Sequence, residues 1–264
     1  MAAAALSLVA AAGCESVNTT QGGTIGIDRT QRMSSLVSEQ QLDQQAVQLY
    51  QQTLSGARGK GQLNTNASQV ARVRTISQRL IGQVGVFRPD ATKWKWEVNV
   101  IDDKEVNAWC MPGGKIAVYT GLINTVKPTD DELAAVLGHE IAHALREHAR
   151  ERASEQMATS MGLSVLAAIT GSQASSDLGG ALANVMFGLP NSRLHETEAD
   201  RMGVELAARA GYDPRAAVTL WTKMGQVGGS APPEILSTHP SAESRIADLK
   251  QASEKVLPLY LARK

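Results

Sequence analysis

The sequence is short of aromatic side chains. Phe, Trp and Tyr make up 4% of its 264 residues, so a folded core must rest on Ala, Val, Leu, Ile and Met. It also lacks an excess of either charge, with 26 Lys plus Arg against 26 Asp plus Glu. Nucleic-acid binding depends on a positive surface that displaces counterions, and nothing here points to one. No apolar run reaches the roughly 20 residues that a membrane-spanning helix needs. The long uncharged stretch 156–176 is interrupted by glycines and rich in Ser, Thr and Gln, and reads as a pair of soluble helices or a mobile flap, with membrane contact the lesser alternative. There is no internal repeat. Cysteine occurs only at Cys14 and Cys110, too few for the thiolate-rich structural zinc sites of small domains. Histidine is scarce too, with five in the chain, yet three of them fall in the stretch 139-HEIAHALREH-148.

What is present is an ordered series of periodic segments. Residues 36–54 place Leu42, Ala46, Leu49 and Tyr50 at helical spacing, and 67–84 repeats Val70, Val73, Ile76, Leu80 and Val84. Both predict amphipathic packing helices, separated by a loop over 55–66. In 94–101, Trp94, Trp96, Val98 and Val100 alternate with polar residues, the period of a strand with one buried face. Residues 106–123 read as strand, Pro112-Gly113-Gly114 turn, strand. Thr129 and Glu132 form a capping box for a helix over 129–153. A helix over 192–210 ends at Gly211, and Asp213-Pro214 opens the next as N-cap and first residue. After a Gly/Pro-rich loop, 225–240, a last helix covers 241–256. The expectation is an α+β chain, mostly helical, with a small antiparallel sheet beside the histidine-rich helix.

His139 and His143 are four residues apart, so their imidazoles project from one helix face and can share a metal ion. Glu140 lies about 100° round the helix, where it can reach a water on that ion without ligating it. This is the HExxH spacing of zinc peptidases. His148 is nine residues past His139; on a continuous helix it faces the other way, which makes it a solvated or second-layer packing histidine rather than a ligand. A catalytic zinc takes three protein ligands and keeps one position open, so a third donor is needed. The stretch 195-HETEAD-200 offers Glu196 and Asp200 on one face, with Glu198 pointing elsewhere and competing for the ligand role. HETEAD resembles the ExxxD element of gluzincin metallopeptidases. That resemblance makes Glu196 the ligand and Asp200 the carboxylate behind His139, where it would fix the tautomer and raise the basicity of the ring. His195 is left as a surface or substrate-contact residue.

Taken together, VNAWCMPGGKIAVYTGLI, GHEIAHALREH, HETEADRMG and STHPSAESRIADL resemble the membrane-associated zinc metallopeptidase family of HtpX, BepA, LoiP and the CAAX prenyl proteases, over roughly residues 40–256. The LoiP-type periplasmic lipoproteins are the nearest match in that group. The resemblance implies a gluzincin-like zincin fold in a single domain, 36–264. It implies an endopeptidase of protein substrates in which His139, His143 and Glu196 hold a single Zn2+ and Glu140 is the general base. It gives His239, in 238-THPS-241, an active-site role, either donating to the transition-state oxyanion or closing the site as a fourth ligand. It also implies an extended substrate paired with the strand near Lys115–Tyr119. A second class of function is a chaperone or outer-membrane assembly factor with a His239-closed site that rarely cuts. Transmembrane helices are part of HtpX and the prenyl proteases, so prenylated substrates are not carried over. Cys110, beside the turn, reads as buried filler.

The first residues, MAAAALSLVAAAG, are small and apolar and run into Cys14. They resemble a bacterial lipoprotein signal over 1–13, without the usual basic start. The implied protein is lipidated on Cys14 and tethered by a flexible segment, 14–35, with no disulfide. Glu15, rather than Asp, after the cysteine then favours the outer membrane of a Gram-negative cell and substrates among periplasmic and outer-membrane proteins.

Overall fold

The computed structural model describes residues 14–157, 182–227, 233–239 and 243–264. The signal-like segment 1–13, most of the uncharged stretch 156–176 and part of the loop 225–240 lie outside the described residues.

Residues 14–35, expected as a flexible tether, instead pack against the rest of the chain. Strands β1 (Cys14–Val17) and β2 (Gln31–Ser34) pair antiparallel. Ile25, Ile27 and Met33 are buried. The backbone between the strands is tied down by polar contacts: Gln21 N donates to Phe87 O, and the amides of Thr24 and Ile25 donate to the Glu205 carboxylate at 2.9 and 2.7 Å. The strap is thus held by buried apolar side chains and by its backbone amides together.

Helix α1 (Glu39–Gly59) starts at Ser38, whose hydroxyl accepts from Gln41 N, and it takes in 55–59 of the stretch 55–66 expected as loop. Its buried stripe of Leu42, Ala46, Tyr50, Leu54 and Ala57 keeps helical spacing to the end. Tyr50 Oη donates to Ile116 O at 2.9 Å and so pins the helix to the sheet. Helix α2 (Ala67–Ile81), capped by Asn66, buries Val70, Val73, Ile76 and Leu80 as its periodicity predicts.

The sheet comprises β3 (Glu97–Ile101), β4 (Ala108–Met111) and β5 (Lys115–Tyr119), in the order β3-β5-β4. It corrects the antiparallel expectation: β4 and β5 form the predicted hairpin, but β3 runs parallel to β5. The hairpin turns at Gly113 and Gly114, both at positive φ (69° and 78°), where a side chain would be strained. A Cβ on Gly114 would also lie 2.6 Å from the Trp96 ring. One face of the sheet packs Ile116, Val118 and Cys110 into the main core, and the other packs Ala117, Trp109 and Met111 against α1. Burial of Cys110 agrees with its reading as filler.

Helix α3 (Asp130–Leu145) carries the predicted capping box, and every residue from Glu132 to Leu145 is buried. It does not run on to 153. The chain turns at Arg146 and Glu147, the latter at φ 51°, and restarts as α4 (His148–Met157). Helix α5 (Arg193–Arg209) begins at Ser192, whose hydroxyl accepts from His195 N, and ends before Gly211 at φ 80°. Helix α6 (Ala216–Gln226) starts later than Asp213-Pro214, which form a turn before it. A single helical turn, Glu234–Thr238, leads to His239, and α7 (Glu243–Leu261) closes the chain past Pro258. Among the described residues, no helix is long and apolar enough to cross a membrane.

The contact that matters most for the site is α3 against α5. Gly138 and Gly203 face each other there. A Cβ on Gly138 would sit 2.8 Å from Gly203 O, and one on Gly203 would sit 2.7 Å from His139 N. Backbone touches backbone, so the residues flanking these glycines, His139 on one helix and Asp200 on the other, are brought within bonding range.

Candidate metal centre

The two helices and the 233–239 segment deliver His139, His143, Glu196 and His239 to one buried point, with ligand-type atoms all within 4.8 Å of one another. His139 Nε2 lies 3.0 Å from His143 Nε2, 3.2 Å from His239 Nδ1 and 3.5 Å from Glu196 Oε2. His143 Nε2 is 3.4 Å, and His239 Nδ1 2.9 Å, from Glu196 Oε1. Donors about 2.0–2.1 Å from a tetrahedral centre are about 3.3 Å apart, so these separations suit a zinc ion. Glu140 stands beside the cluster, its Oε1 3.5 Å from His239 Nε2.

Hydrogen bonds behind the rings decide which nitrogens face the centre. His139 Nδ1 is 3.0 Å from Asp200 Oδ1, and Arg245 Nε and Nη2 donate to the same carboxylate, both at 2.8 Å. With Asp200 ionised, His139 carries its proton on Nδ1 and leaves the Nε2 lone pair inward. His143 Nδ1 meets His148 Nδ1 at 2.7 Å, and His148 Nε2 meets Glu198 Oε2 at 3.1 Å. With Glu198 ionised, His148 donates to it from Nε2 and accepts from His143 Nδ1–H, so His143 also turns a lone pair inward. His148 is therefore a hydrogen-bond partner behind His143, reached because α4 restarts after the turn and not because of its phase on α3. Glu198, the competitor for the ligand role, accepts from Arg146 and Arg29 and takes no place in the cluster.

Two inward nitrogens at 3.0 Å need a metal ion or a shared proton between them. Two further observations fit that demand. Glu140 Oε1 is buried and accepts no hydrogen bond, while Glu196 pairs its Oε2 with Arg245 Nη1 and turns Oε1 to His143 and His239. Burial works against charge on His139, but Glu196 and Asp200 outweigh it and push its pKa up to about 9. Burial meanwhile holds His143 well below the usual imidazole range, against the pull of Glu196. The carboxylates thus call for positive charge at the centre, and nitrogen and oxygen donors without thiolate suit a catalytic zinc.

Arg245 was not singled out by sequence reasoning, although it lies in 238-THPSAESR-245. Besides holding Asp200, its Nη1 is 2.9 Å from Glu196 Oε2, and its guanidinium stacks 4.2 Å from the Trp221 ring. Arg245→Leu leaves Asp200 buried without its cation. We expect a loss of about 3–5 kcal/mol in denaturant unfolding and weaker zinc binding in a chelator competition.

His195, expected at the surface or in contact with substrate, is buried at 1% exposure, and its ring stacks on His148 at 4.4 Å. With Glu151 and His148 it forms a second group whose ligand-type atoms lie within 4.8 Å. This group reads as an ion-pair network rather than a metal site. Glu151 accepts from Arg29 (2.6 and 2.8 Å), from Gln31 (2.7 Å) and from His195 Nε2 (3.1 Å), while Arg29 also grips Glu198. The strap is thereby fastened to α4 and α5. Burial would raise the Glu151 carboxyl, but Arg29, His195 and Gln31 hold it well below the usual carboxylate range. A depressed carboxyl adds stability above its unfolded pKa, about 4.3, which is lost as pH falls below that value. Arg29→Leu should cost about 1.5 kcal/mol or more at neutral pH and flatten the loss of stability below about pH 4.3, both read from denaturant midpoints.

A cleft opens on the centre, lined by Glu140, His143, His239, Trp109, Arg152 and Phe187 among others. Strand β4 borders it. Among the described residues β4 pairs only with β5, so its other edge is unpaired. Lys115–Tyr119 is the central strand, hydrogen-bonded on both sides, and cannot take up a further strand. The expectation of substrate pairing there is corrected: the strand that lines the cleft, through Ala108, Trp109 and Cys110, is β4.

Comparison with known proteins shows similarity to mitochondrial metalloendopeptidase OMA1 of Arabidopsis thaliana, 41% identical over 62% of this chain and 33% of that protein. The OMA1 of Schizosaccharomyces pombe is 37% identical over 68% of the chain and 51% of its own length. The beta-barrel assembly-enhancing protease of Escherichia coli K12 is 28% identical over 77% of the chain and 43% of its own length. The chain thus spans about a third to a half of these curated relatives. They correct the placement in the periplasm at a Gram-negative outer membrane, which rested on residues 1–15: the relatives at 33–41% identity are mitochondrial by name, in a plant, fungi and vertebrates. For the same reason the LoiP-type resemblance gives way to a broader one. The profile described as Peptidase family M48 matches residues 67–253, which contain every residue of the cluster, and the chain belongs to that metallopeptidase family.

Proposed function

We propose that the chain is a zinc-dependent endopeptidase that hydrolyses peptide bonds of protein substrates. The observation that carries the reading is the convergence of His139, His143 and Glu196 on one point with Glu140 beside it, at the floor of a cleft bordered by an unpaired strand edge. A zinc ion held by those three residues would acidify a water and polarise the scissile carbonyl. The chain's own groups do the rest. The β4 edge aligns an extended substrate by main-chain hydrogen bonds. Glu140, whose buried carboxyl is raised above the usual carboxylate range by desolvation, takes the proton of the attacking water and hands it to the leaving amine. Asp200 and Arg245 hold His139, and His148 with Glu198 holds His143, so that the ligand field does not rotate. Cleavage of casein by purified protein, lost with a zinc chelator and restored by added zinc, tests this reading; cleavage indifferent to chelation would refute it.

A second reading, supported by the place of His239 in the cluster and by the name of the Escherichia coli relative, is an assembly factor whose centre is kept closed. His239 Nδ1 stands where a fourth ligand would, which would exclude water until the segment 233–239 moves. His239→Ala is expected to raise casein turnover severalfold. A fall instead would make His239 a donor to the transition state, the alternative role for it.

A further inference from the structure

Four arginines are buried among the described residues: Arg88, Arg146, Arg152 and Arg245. Three of them have carboxylate partners. Arg88 pairs with Glu39, Asp90 and Glu147, Arg146 with Glu198, and Arg245 with Glu196 and Asp200. Arg152 has none among the described residues. It is 7% exposed on α4 and lines the cleft together with Glu140, His143 and His239. Its Nη1 donates to Leu189 O at 3.1 Å, and its Nε is buried without an acceptor. A buried guanidinium lacking a counter-ion is costly, and chains that keep one usually bring it a partner.

We propose that Arg152 is the anion subsite of the cleft and takes a carboxylate of the substrate. This rests on the peptidase reading above. The nearby carboxylates do not fill the role: Glu196 and Glu140 serve the metal centre, and Glu155 lies exposed on the outer side of α4. Burial draws the Arg152 pKa down to about 10, so the group is still a cation at neutral pH. Trp109, Met186 and Phe187 wall the same cleft with apolar surface, which strengthens an ion pair formed there. A planar guanidinium with Nε unused can grip a carboxylate through two parallel hydrogen bonds, a geometry that an amide or hydroxyl cannot match. The carboxylate has two possible sources in a peptide, an Asp or Glu side chain or a free C-terminus.

The test uses zinc-loaded Glu140→Gln protein, so that binding is measured without turnover. The probes are short, fluorescently labelled alanine peptides: one with an internal Glu and an amidated end, its Gln twin, and the Gln twin with a free C-terminal carboxylate. The inference expects an acidic peptide to bind about tenfold tighter than the neutral twin. Adding Arg152→Gln should remove that difference, and Arg152→Lys should keep part of it. Whichever acidic probe shows the gain identifies the source. Equal binding of all three peptides to the Arg152-intact protein would overturn the proposal, and that comparison needs no Arg152 variant to fold. The failures are separable. Wild-type protein that cleaves casein but does not discriminate the probes loses the subsite and keeps the peptidase reading. Discrimination by a protein that cleaves nothing does the reverse.

Discussion

Glu140→Gln is expected to lower casein turnover by about two to four orders of magnitude while zinc content stays at the wild-type level. Glu140 belongs to neither helix-helix contact nor ligand set, so the amide keeps its volume and removes only the proton acceptor. Its Oε1 is buried and accepts no hydrogen bond, and it faces His239 across 3.5 Å. Such a group costs stability, since a buried oxygen is normally paired. The variant should therefore melt no lower than the wild type and should hold zinc equally well. Turnover within a few-fold of wild type, in protein free of contaminating protease, would remove Glu140 as the base.

Gly203→Val is expected to disable the protein by another route. The added atoms would enter the space that His139 N and the Gly138 backbone occupy, with the first carbon already 2.7 Å from that nitrogen. Helices α3 and α5 must then separate, and they carry His139 with His143 on one side and Glu196 with Asp200 on the other. Overpacking of this kind costs about 1–3 kcal/mol, occasionally more. The larger consequence falls on the centre, where a shift of half an ångström moves donors out of a zinc coordination sphere. A lower melting temperature together with zinc binding weakened by at least about tenfold is the expected pair of results. Gly203→Ala should show the same pair in milder form. Unchanged zinc affinity in both variants would mean that the centre tolerates a wider helix spacing than the contact implies.

The local parts of this site were legible in the chain. The phase of His139 and His143, the capping box at Thr129 and the stop at Gly211 all depend on neighbours within a turn or two. That Glu196 and Asp200 face His139 depends on two helices meeting, and only resemblance to gluzincins suggested it. The long-range features were hidden for definite reasons. The chain turns at Glu147 through a positive φ with neither Gly nor Pro to mark it; His148 is no ligand, as expected, but its place behind His143 follows from this turn and not from its phase on α3. The order β3-β5-β4 is a matter of pairing between distant segments, so alternation could show that the strands exist but not that β5 is central. The strap at 14–35 is held by Arg29, Gln31 and backbone amides reaching carboxylates far along the chain, a pattern that composition reads as loop. Arg245 and Arg152 have no periodic signature, and their roles follow only from which carboxylates each does or does not meet.

Metal content is the most direct test. Protein purified without a histidine tag and without added metal should contain close to one equivalent of zinc. Its melting temperature should fall when the zinc is chelated, and Glu196→Ala should fail to retain the ion. Metal-free protein whose melting curve is unmoved by zinc would contradict the account, because His139, His143 and Glu196 would then converge on a point that binds no ion.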